Sequence, residues 1–333
     1  MQSSLRFTQP LCLLVLTLAC AVFAQGQVTT GTVRGVVTDP NDAVVPNAKV
    51  SITKKSTNNT LTTQTSDRGT FEFTNLLSGN DYTVTVEAPS FKILTLTDVV
   101  VSLNQITDLV AQLSLGAIGE SVTVTSAGSE LVDTTTNTLS KSFGERQVVE
   151  LAQTNVGGAF GGGVNNLALI APNVSSSGGV GVGSGGSVGG QRPRNNNFLI
   201  DGVDNNDKSV TGPVAYVSPE VVQEFTLLQN QFSAEFGRSN GGQFVTVTKT
   251  GTNDYHGSVY SFVRNRFLNA LDTRQIEDGF VRERNVPGKK FLPRFDFFRG
   301  GANVGGPIYL PRFGEGGPSL YSGKNKLFFF TSF

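Results

Sequence analysis

Short runs of alternating side chains, each shut off by a turn, dominate this chain from Thr32 to Val86 and leave no room there for long helices. Thr32 to Thr38 closes on Asp39-Pro40-Asn41-Asp42, and Ala48 to Thr53 closes on the polar tract Lys54 to Asn59. Asp67-Arg68-Gly69 leads into Phe71-Glu72-Phe73, and Ser78-Gly79-Asn80-Asp81 leads into Tyr82 to Val86, where Tyr82, Val84 and Val86 share one face. Strands recurring at about ten residues predict a small two-sheet sandwich. Thirty-nine glycines, a single Met and long Thr/Val/Ser/Asn stretches extend the β-rich reading to the rest of the chain.

Charge narrows the partners. The 26 basic and 26 acidic residues cancel, and at 16% the charged fraction lies below the quarter typical of soluble domains. No nucleic-acid partner is implied. At the start, Arg6, the apolar run Leu11 to Val22 and the small residue of Val22-Phe23-Ala24 predict a Sec signal peptide over residues 1–24. A membrane helix needs roughly 20 apolar residues, so this run is too short to span. Cys12 and Cys20 both lie inside it, which leaves the mature chain without disulfides, thiolates or Cys-based zinc sites. A lipoprotein site at Cys20 lacks the expected aliphatic residue three positions earlier.

Further along, Glu145 to Gln153 predicts a short helix. Ser175 to Gly190, almost wholly Gly, Ser and Val, predicts a flexible loop, because so few bulky side chains cannot offset the entropy of ordering. Phe198 to Asp201 reads as a buried strand that turns at Asp201-Gly202, a dipeptide that readily takes positive φ. Ser218-Pro219-Glu220 reads as a helix start, with Ser as N-cap and Pro at the first helical position. Phe244 to Thr248 alternates as a strand. Three more strands are expected at His256 to Arg264, Phe295 to Pro307 and Lys326 to Phe333, with Tyr260 and Phe262 on one face of the first and Ser261 on the other.

Two resemblances follow from these residues. GTVRGVVTDPNDAVVPNAKVSI (residues 31–52) and TSDRGTFEFTNLLSGNDYTVTVEAPSF (65–91) resemble carboxypeptidase regulatory-like domains, transthyretin-like sandwiches also grouped with carbohydrate-binding-like folds. The family carries no zinc ligands of its own, which implies a non-catalytic module over residues 25–115. GQRPRNNNFLIDGVDNND (190–207), SPEVVQEFTLL (218–228), FSAEFGRSNGG (232–242), QFVTVTKTG (243–251) and TNDYHGSVYSFVRN (252–265) resemble TonB-dependent outer-membrane receptors, and among them Oar-like receptors. The fold class implied is mainly β: a transthyretin-like sandwich, then an α+β plug domain at 131–254, then the first strands of a transmembrane β-barrel at 255–333, in whose first strand Tyr260 and Phe262 would face lipid and Ser261 inward.

That resemblance implies an outer-membrane location, with the regulatory-like and plug domains on the periplasmic side. The partners implied are a TonB-type energy-coupling protein, an extracellular ligand of unknown identity and outer-membrane lipid, with no cofactor. Within a linker at 116–130, Glu120, Ser121, Val122, Thr123, Val124 and Thr125 form a strand with no obvious partner. It reads either as a TonB-box-like segment offered for strand addition or as the last strand of the preceding sandwich. Arg192, Arg194, Asn196, Asp201, Asp204 and Asn205 are candidates for a ligand-facing loop. The long polar loop from Arg266 to Arg294 is expected outside, either solvated or against anionic lipid. Such barrels close at about 22 strands. At about ten residues per strand, the 79 residues from Tyr255 to Phe333 imply a truncated barrel.

Catalytic patterns are weak. Gly181 to Gly186 fits G-x-G-x-x-G, but lacks the strand before and helix after that a dinucleotide site needs. Gly185 to Gly189 fits the serine-hydrolase elbow with Ser187, again without its strand-to-helix turn. His256 is the only His, so it reads as structural. Asp201, Asp204 and Asp207 lack EF-hand spacing and read as a solvated turn more readily than as a cation site. The expectation is no catalytic residue, no metal site and no enzyme activity. The alternative of a different class is a secreted or surface adhesion or carbohydrate-binding protein acting through the sandwich.

Overall fold

The computed structural model describes residues 30–116, 121–125, 139–152, 163–175, 186–208, 212–230, 236–237, 239–265, 268, 270–271, 273–281, 285–291, 297–311 and 320–333. The signal-peptide segment and Glu120 lie outside them. The described residues form two compact units, one of residues up to Lys249 without Ser56–Asn58, and one of Ser56–Asn58 with Thr250 onward.

The first unit begins with the sandwich. Strands β1 (Thr30–Thr38), β2 (Lys49–Lys54), β3 (Asn59–Gln64), β4 (Thr70–Leu77), β5 (Gly79–Glu87), β6 (Ile93–Val101), β7 (Ile106–Gln112) and β8 (Ser121–Thr125) make two sheets, ordered β4-β1-β7 and β3-β2-β5-β6-β8. Alternation decides what is inside. Val33 and Val37 of β1, Val50 and Ile52 of β2, and Tyr82, Val84 and Val86 of β5 are all buried in one core. Burying each such side chain contributes about 1.5–3 kcal/mol. Gly35 sits where β1 passes closest to its neighbours: a Cβ there would collide with the Leu109 carbonyl and the Phe71 ring. On the outer face of the same pair, Arg34 reaches Asp108 at 2.5 Å across the parallel β1–β7 ladder. Thr65 is buried with both roles of its hydroxyl used, donating to the Val45 carbonyl and accepting from the Ala48 N–H, each at 2.8 Å.

Of the two readings left open for Glu120 to Thr125, the pairing of Ser121 to Thr125 matches the last strand of the sandwich: β8 pairs in parallel with β6, from Ile93 opposite Ser121 to Thr97 opposite Thr125. β6 is an edge strand without it, and Thr/Val alternation suits either reading equally, so only the three-dimensional neighbourhood could supply the pairing.

A second sheet follows. β9 (Leu139–Gly144) runs into helix α1 (Glu145–Ala152), as expected. The helix start is fixed by Gln147, whose side-chain oxygen accepts from the Gly144 N–H at 3.3 Å, half of a capping box. Lys249 bonds Glu145 at 2.6 Å, and Val148 is fully buried beneath the helix. After a 3-10 stretch at Val164–Ile170, β10 (Val174–Ser175) pairs with β11 (Ser187–Val188). The Gly/Ser tract is therefore ordered at its end, where Val188 is buried, contrary to the expectation of a wholly flexible loop; residues 176–185 lie outside the described residues. β12 (Asn197–Ile200), β13 (Val203–Asp204), β14 (Val222–Asn230) and β15 (Gln243–Thr248) complete a five-stranded sheet of order β13-β12-β15-β14-β9.

Its two faces differ. Phe198, Phe225 and Phe244 stack on one, with centroids 4.9 Å apart for Phe198 and Phe244, and Phe143 lies 6.0 Å from Phe225. Leu199, Leu228 and Val245 are buried on the other. The helix expected from Ser218 is only a 3-10 turn, Pro219–Val221. Ser218 does not cap it; its hydroxyl donates to the Glu220 carboxylate, and the β-branched Val221-Val222 lead at once into a strand paired on both sides.

The second unit, taken by itself, is a meander. β16 (His256–Arg264), α2 (Thr273–Glu277), β17 (Phe280–Val281), β18 (Lys290–Phe291), β19 (Phe297–Pro307), β20 (Tyr309–Pro311), β21 (Leu320–Ser322) and β22 (Phe328–Ser332) include an antiparallel sheet β16-β19-β22. The expected polar loop thus holds a helical turn and a short β17–β18 pair, and the β20–β21 hairpin was not expected. Register sets which residues share each face of β16. Tyr260 and Phe262 lie opposite Gly301 and Arg299, on the face that carries Ser258 bonded to Asn303 at 2.8 Å and the Arg299 guanidinium 4.8 Å from the Phe262 ring. The other face carries Val259, Val263 and Phe298, at 88%, 65% and 70% exposure. Cross-strand partners thus put Tyr260 and Phe262 on the same face as Ser258, Asn303 and Arg299.

Candidate functional site

The ligand-loop candidates fall on the β12–β13 hairpin and the turn before it. Asp201 (φ 49°) and Gly202 (φ 78°) are the two central residues of a tight hairpin, both left-handed, as a type I′ turn requires. The Asp201 carboxylate then accepts from the Thr248 N–H at 2.8 Å and the Thr248 hydroxyl at 2.7 Å, fastening the turn to the end of β15. Asp204 accepts from the Asn206 backbone at 3.0 Å. Asn205 clamps Ala215 with both ends of its amide, donating to its carbonyl and accepting from its N–H, each at 2.9 Å. Among the described residues no group of three acidic, His or Cys side chains converges as a metal site.

The run of three asparagines is structural as well. Buried Asn196 donates to the Gly186 carbonyl at 3.0 Å and accepts from the Gly242 N–H at 3.1 Å. Asn197 donates to Gln243 at 2.7 Å and accepts from Asn206 at 2.6 Å, and Gln243 reaches the Gly237 carbonyl at 3.1 Å. These amides satisfy backbone groups of Gly186, Gly237 and Gly242. Arg192 and Arg194 alone of the six candidates are exposed with no such role, flanking a 3-10 turn at Pro193–Asn195. Ser187 donates its hydroxyl to the Gln191 carbonyl at 2.6 Å from the two-residue β11. His256 Nδ1 lies 3.1 Å from the Thr252 hydroxyl and its ring stacks on Phe330 at 6.4 Å.

The coupling-strand candidates are placed on the rim of the sandwich. Val122, Thr123 and Val124 are exposed, and β8 is the outermost strand of its sheet. From β6, which holds it, the chain turns through Ser102 to Gln105 straight into the face of the second sheet. Leu103 is fully buried there among Leu199, Leu228, Phe236 and Val245. Its N–H donates to both oxygens of Glu224, at 3.2 and 3.3 Å, and Gln105 donates to the Ser140 hydroxyl at 3.1 Å. Thr226 also donates to Glu224 at 3.0 Å and shares a 2.8 Å bond with Ser142.

Glu224 is buried, and removal from water pushes its carboxyl above the usual range; the donors, Leu103 first, pull partly back. Sequence reasoning passed over Glu224 and Leu103. The available signal was an acid inside the otherwise apolar strand run VVQEFTLL.

Comparison with known proteins supplies the family context. Residues 32–114 match the carboxypeptidase regulatory-like domain, and residues 247–333 match an outer membrane beta barrel domain. The TonB-dependent transporter Oar of Myxococcus xanthus is 28% identical over 317 residues, covering 94% of this chain and 27% of its own length. The chain thus spans about a quarter of that relative. Among solved structures, the Bacillus anthracis TIE protein matches at 17% identity over 26% of this chain and 17% of its own, with a TM-score of 0.23. A putative membrane-associated protein from Bacteroides fragilis matches at 11% identity over 91% and 96%, with a TM-score of 0.20. Scores this low carry no argument about fold. A regulatory-like module before barrel sequence, aligned in that order with Oar along nearly the whole chain, makes this chain similar to Oar-like TonB-dependent transporters.

Proposed function

We propose that the protein to which this chain belongs is an outer-membrane receptor that imports an extracellular ligand by TonB-type energy coupling, without catalysis. One observation carries the reading: the β16–β19–β22 meander, within the segment matched to outer-membrane barrels, has one face of exposed Val259, Val263 and Phe298 with Ser261 among them, and another of Ser258, Asn303 and Arg299 with Tyr260 and Phe262. A strand sheet needs that contrast to stand between lipid and a polar interior. In a transporter of this kind the second sheet is the plug, residues 131–254, and the sandwich lies on the periplasmic side. Ligand binds on the far side of the plug, with Arg192 and Arg194 the exposed candidates to meet it. The strand Glu120 to Thr125 is offered to the coupling protein by strand addition, where backbone bonds supply affinity and side chains supply selectivity. Ligand acts only by binding one plug state better than another.

The test is fractionation of the full reading frame, including any sequence after Phe333. The expected result is a product that stays in the outer membrane through a urea wash. A folded product released as soluble protein overturns the proposal.

A further inference from the structure

We propose that Leu103 and Glu224 form a reversible latch that holds the sandwich on the second sheet, and that this latch governs how firmly strand β8 is held. The proposal rests on the coupling reading only for what β8 delivers; the latch itself stands on geometry.

Three observations meet at one turn. Leu103 lies two residues past the end of β6, the strand whose Ile93–Thr97 half pairs with β8. Its side chain is the sandwich's contribution to an otherwise second-sheet cluster of Leu199, Leu228, Phe236 and Val245. Its N–H is bonded to both oxygens of Glu224. The turn is also tied back into the sandwich: Asn104 N–H donates to the Thr30 carbonyl and Thr32 N–H to the Gln105 carbonyl, each at 3.0 Å. Lifting Leu103 out of the second sheet therefore displaces the end of β6 and the start of β1 together, rather than loosening a free loop.

The choice of a carboxylate makes the contact reversible. An apolar residue at 224 would lose no hydration of its own on docking but would leave the Leu103 N–H without an acceptor. Glu224 instead gives up its hydration on docking to neutral donors, Leu103 N–H and Thr226 among them, and regains it when the sandwich lifts. Leucine supplies attraction, the carboxylate supplies register, and the cost of burying it keeps the open state within reach. A device of this kind suits a strand that must be stored and then surrendered.

Amide hydrogen exchange on the whole chain in detergent tests this, comparing wild type with Leu103→Ala, Glu224→Ala and Glu224→Gln. In both alanine variants, exchange in Ser102 to Gln105 and in Ser121 to Thr125 is expected to rise together by about tenfold, in line with loss of one buried contact or acceptor, while β2 and β5 stay protected. Glu224→Gln keeps an acceptor and loses the charge, so both segments should exchange as slowly as wild type or more slowly. A rise confined to Ser102 to Gln105, with β8 unchanged, overturns the proposal. Should the alanine variants lose protection throughout, Glu224→Gln decides alone, and faster exchange than wild type in both segments overturns it. Titration with a purified TonB-type C-terminal domain separates the two readings. If that domain binds no variant while the two segments still respond together, the coupling role falls and the latch stands.

Discussion

At the scale of single residues, the polar side chains of the most conspicuous motif are spent on the fold. Asn196, Asn197, Asn205 and Asp201 each bond a named backbone or side-chain group, which explains why so polar a tract brackets a buried strand. Glu224 is different, because it is buried with a charge to lose. Its carboxyl is held above the usual range by burial, so the folded state binds its proton more tightly than the unfolded state does. An acid shifted this way stabilises fully below its ordinary value, and the contribution is lost as pH rises through the raised one. Urea unfolding midpoints measured from about pH 4 to 8 should therefore show a declining contribution in wild type that Glu224→Gln flattens. Glu224→Ala should cost about 1–3 kcal/mol near pH 4, because the Leu103 N–H is left buried without an acceptor, and less as pH rises. An equal pH dependence in wild type and Glu224→Gln would show that the group does not titrate in this environment.

At the scale of elements, strands were readable where alternation and turn chemistry agreed. β1, β2, β5, β15 and β16 fall where the pattern puts them, and Asp201-Gly202 turns as its chemistry demands. Facing was not readable where both sets of a strand carry apolar side chains. In β16, Val259 and Val263 compete with Tyr260 and Phe262, and the decision belongs to Asn303 and Arg299 on a strand more than thirty residues later. If the apolar face meets lipid, Val259→Arg should destabilise the inserted barrel by about 2–4 kcal/mol near the bilayer centre, whereas Ser258→Arg should be tolerated. Heat-modifiable gel mobility of the full-length protein in outer-membrane fractions reads this directly. The reverse ranking would place Tyr260 and Phe262 against lipid.

At the scale of the whole molecule, the sandwich and the second sheet share a buried contact, and residues up to Lys249 cluster as one unit apart from Ser56–Asn58. They should therefore unfold in a single calorimetric transition. Leu103→Asp, which places a charge in the Leu199, Leu228 and Val245 cluster, is expected to split that transition in two. One undivided transition in the variant would mean that the Leu103 contact contributes little to their union.

What the sequence determined by itself is local: a β-rich chain, the positions of most strands and turns, the regulatory-like and barrel resemblances, and the lack of thiols beyond residue 24. Those follow from periodicity, turn residues and composition, which act over a few neighbours. What only the tertiary structure decided is which edge takes β8, which face of β16 is polar, and that Leu103 meets a buried Glu224. Each of these depends on groups brought together from distant parts of the chain, where desolvation and register, rather than propensity, set the outcome.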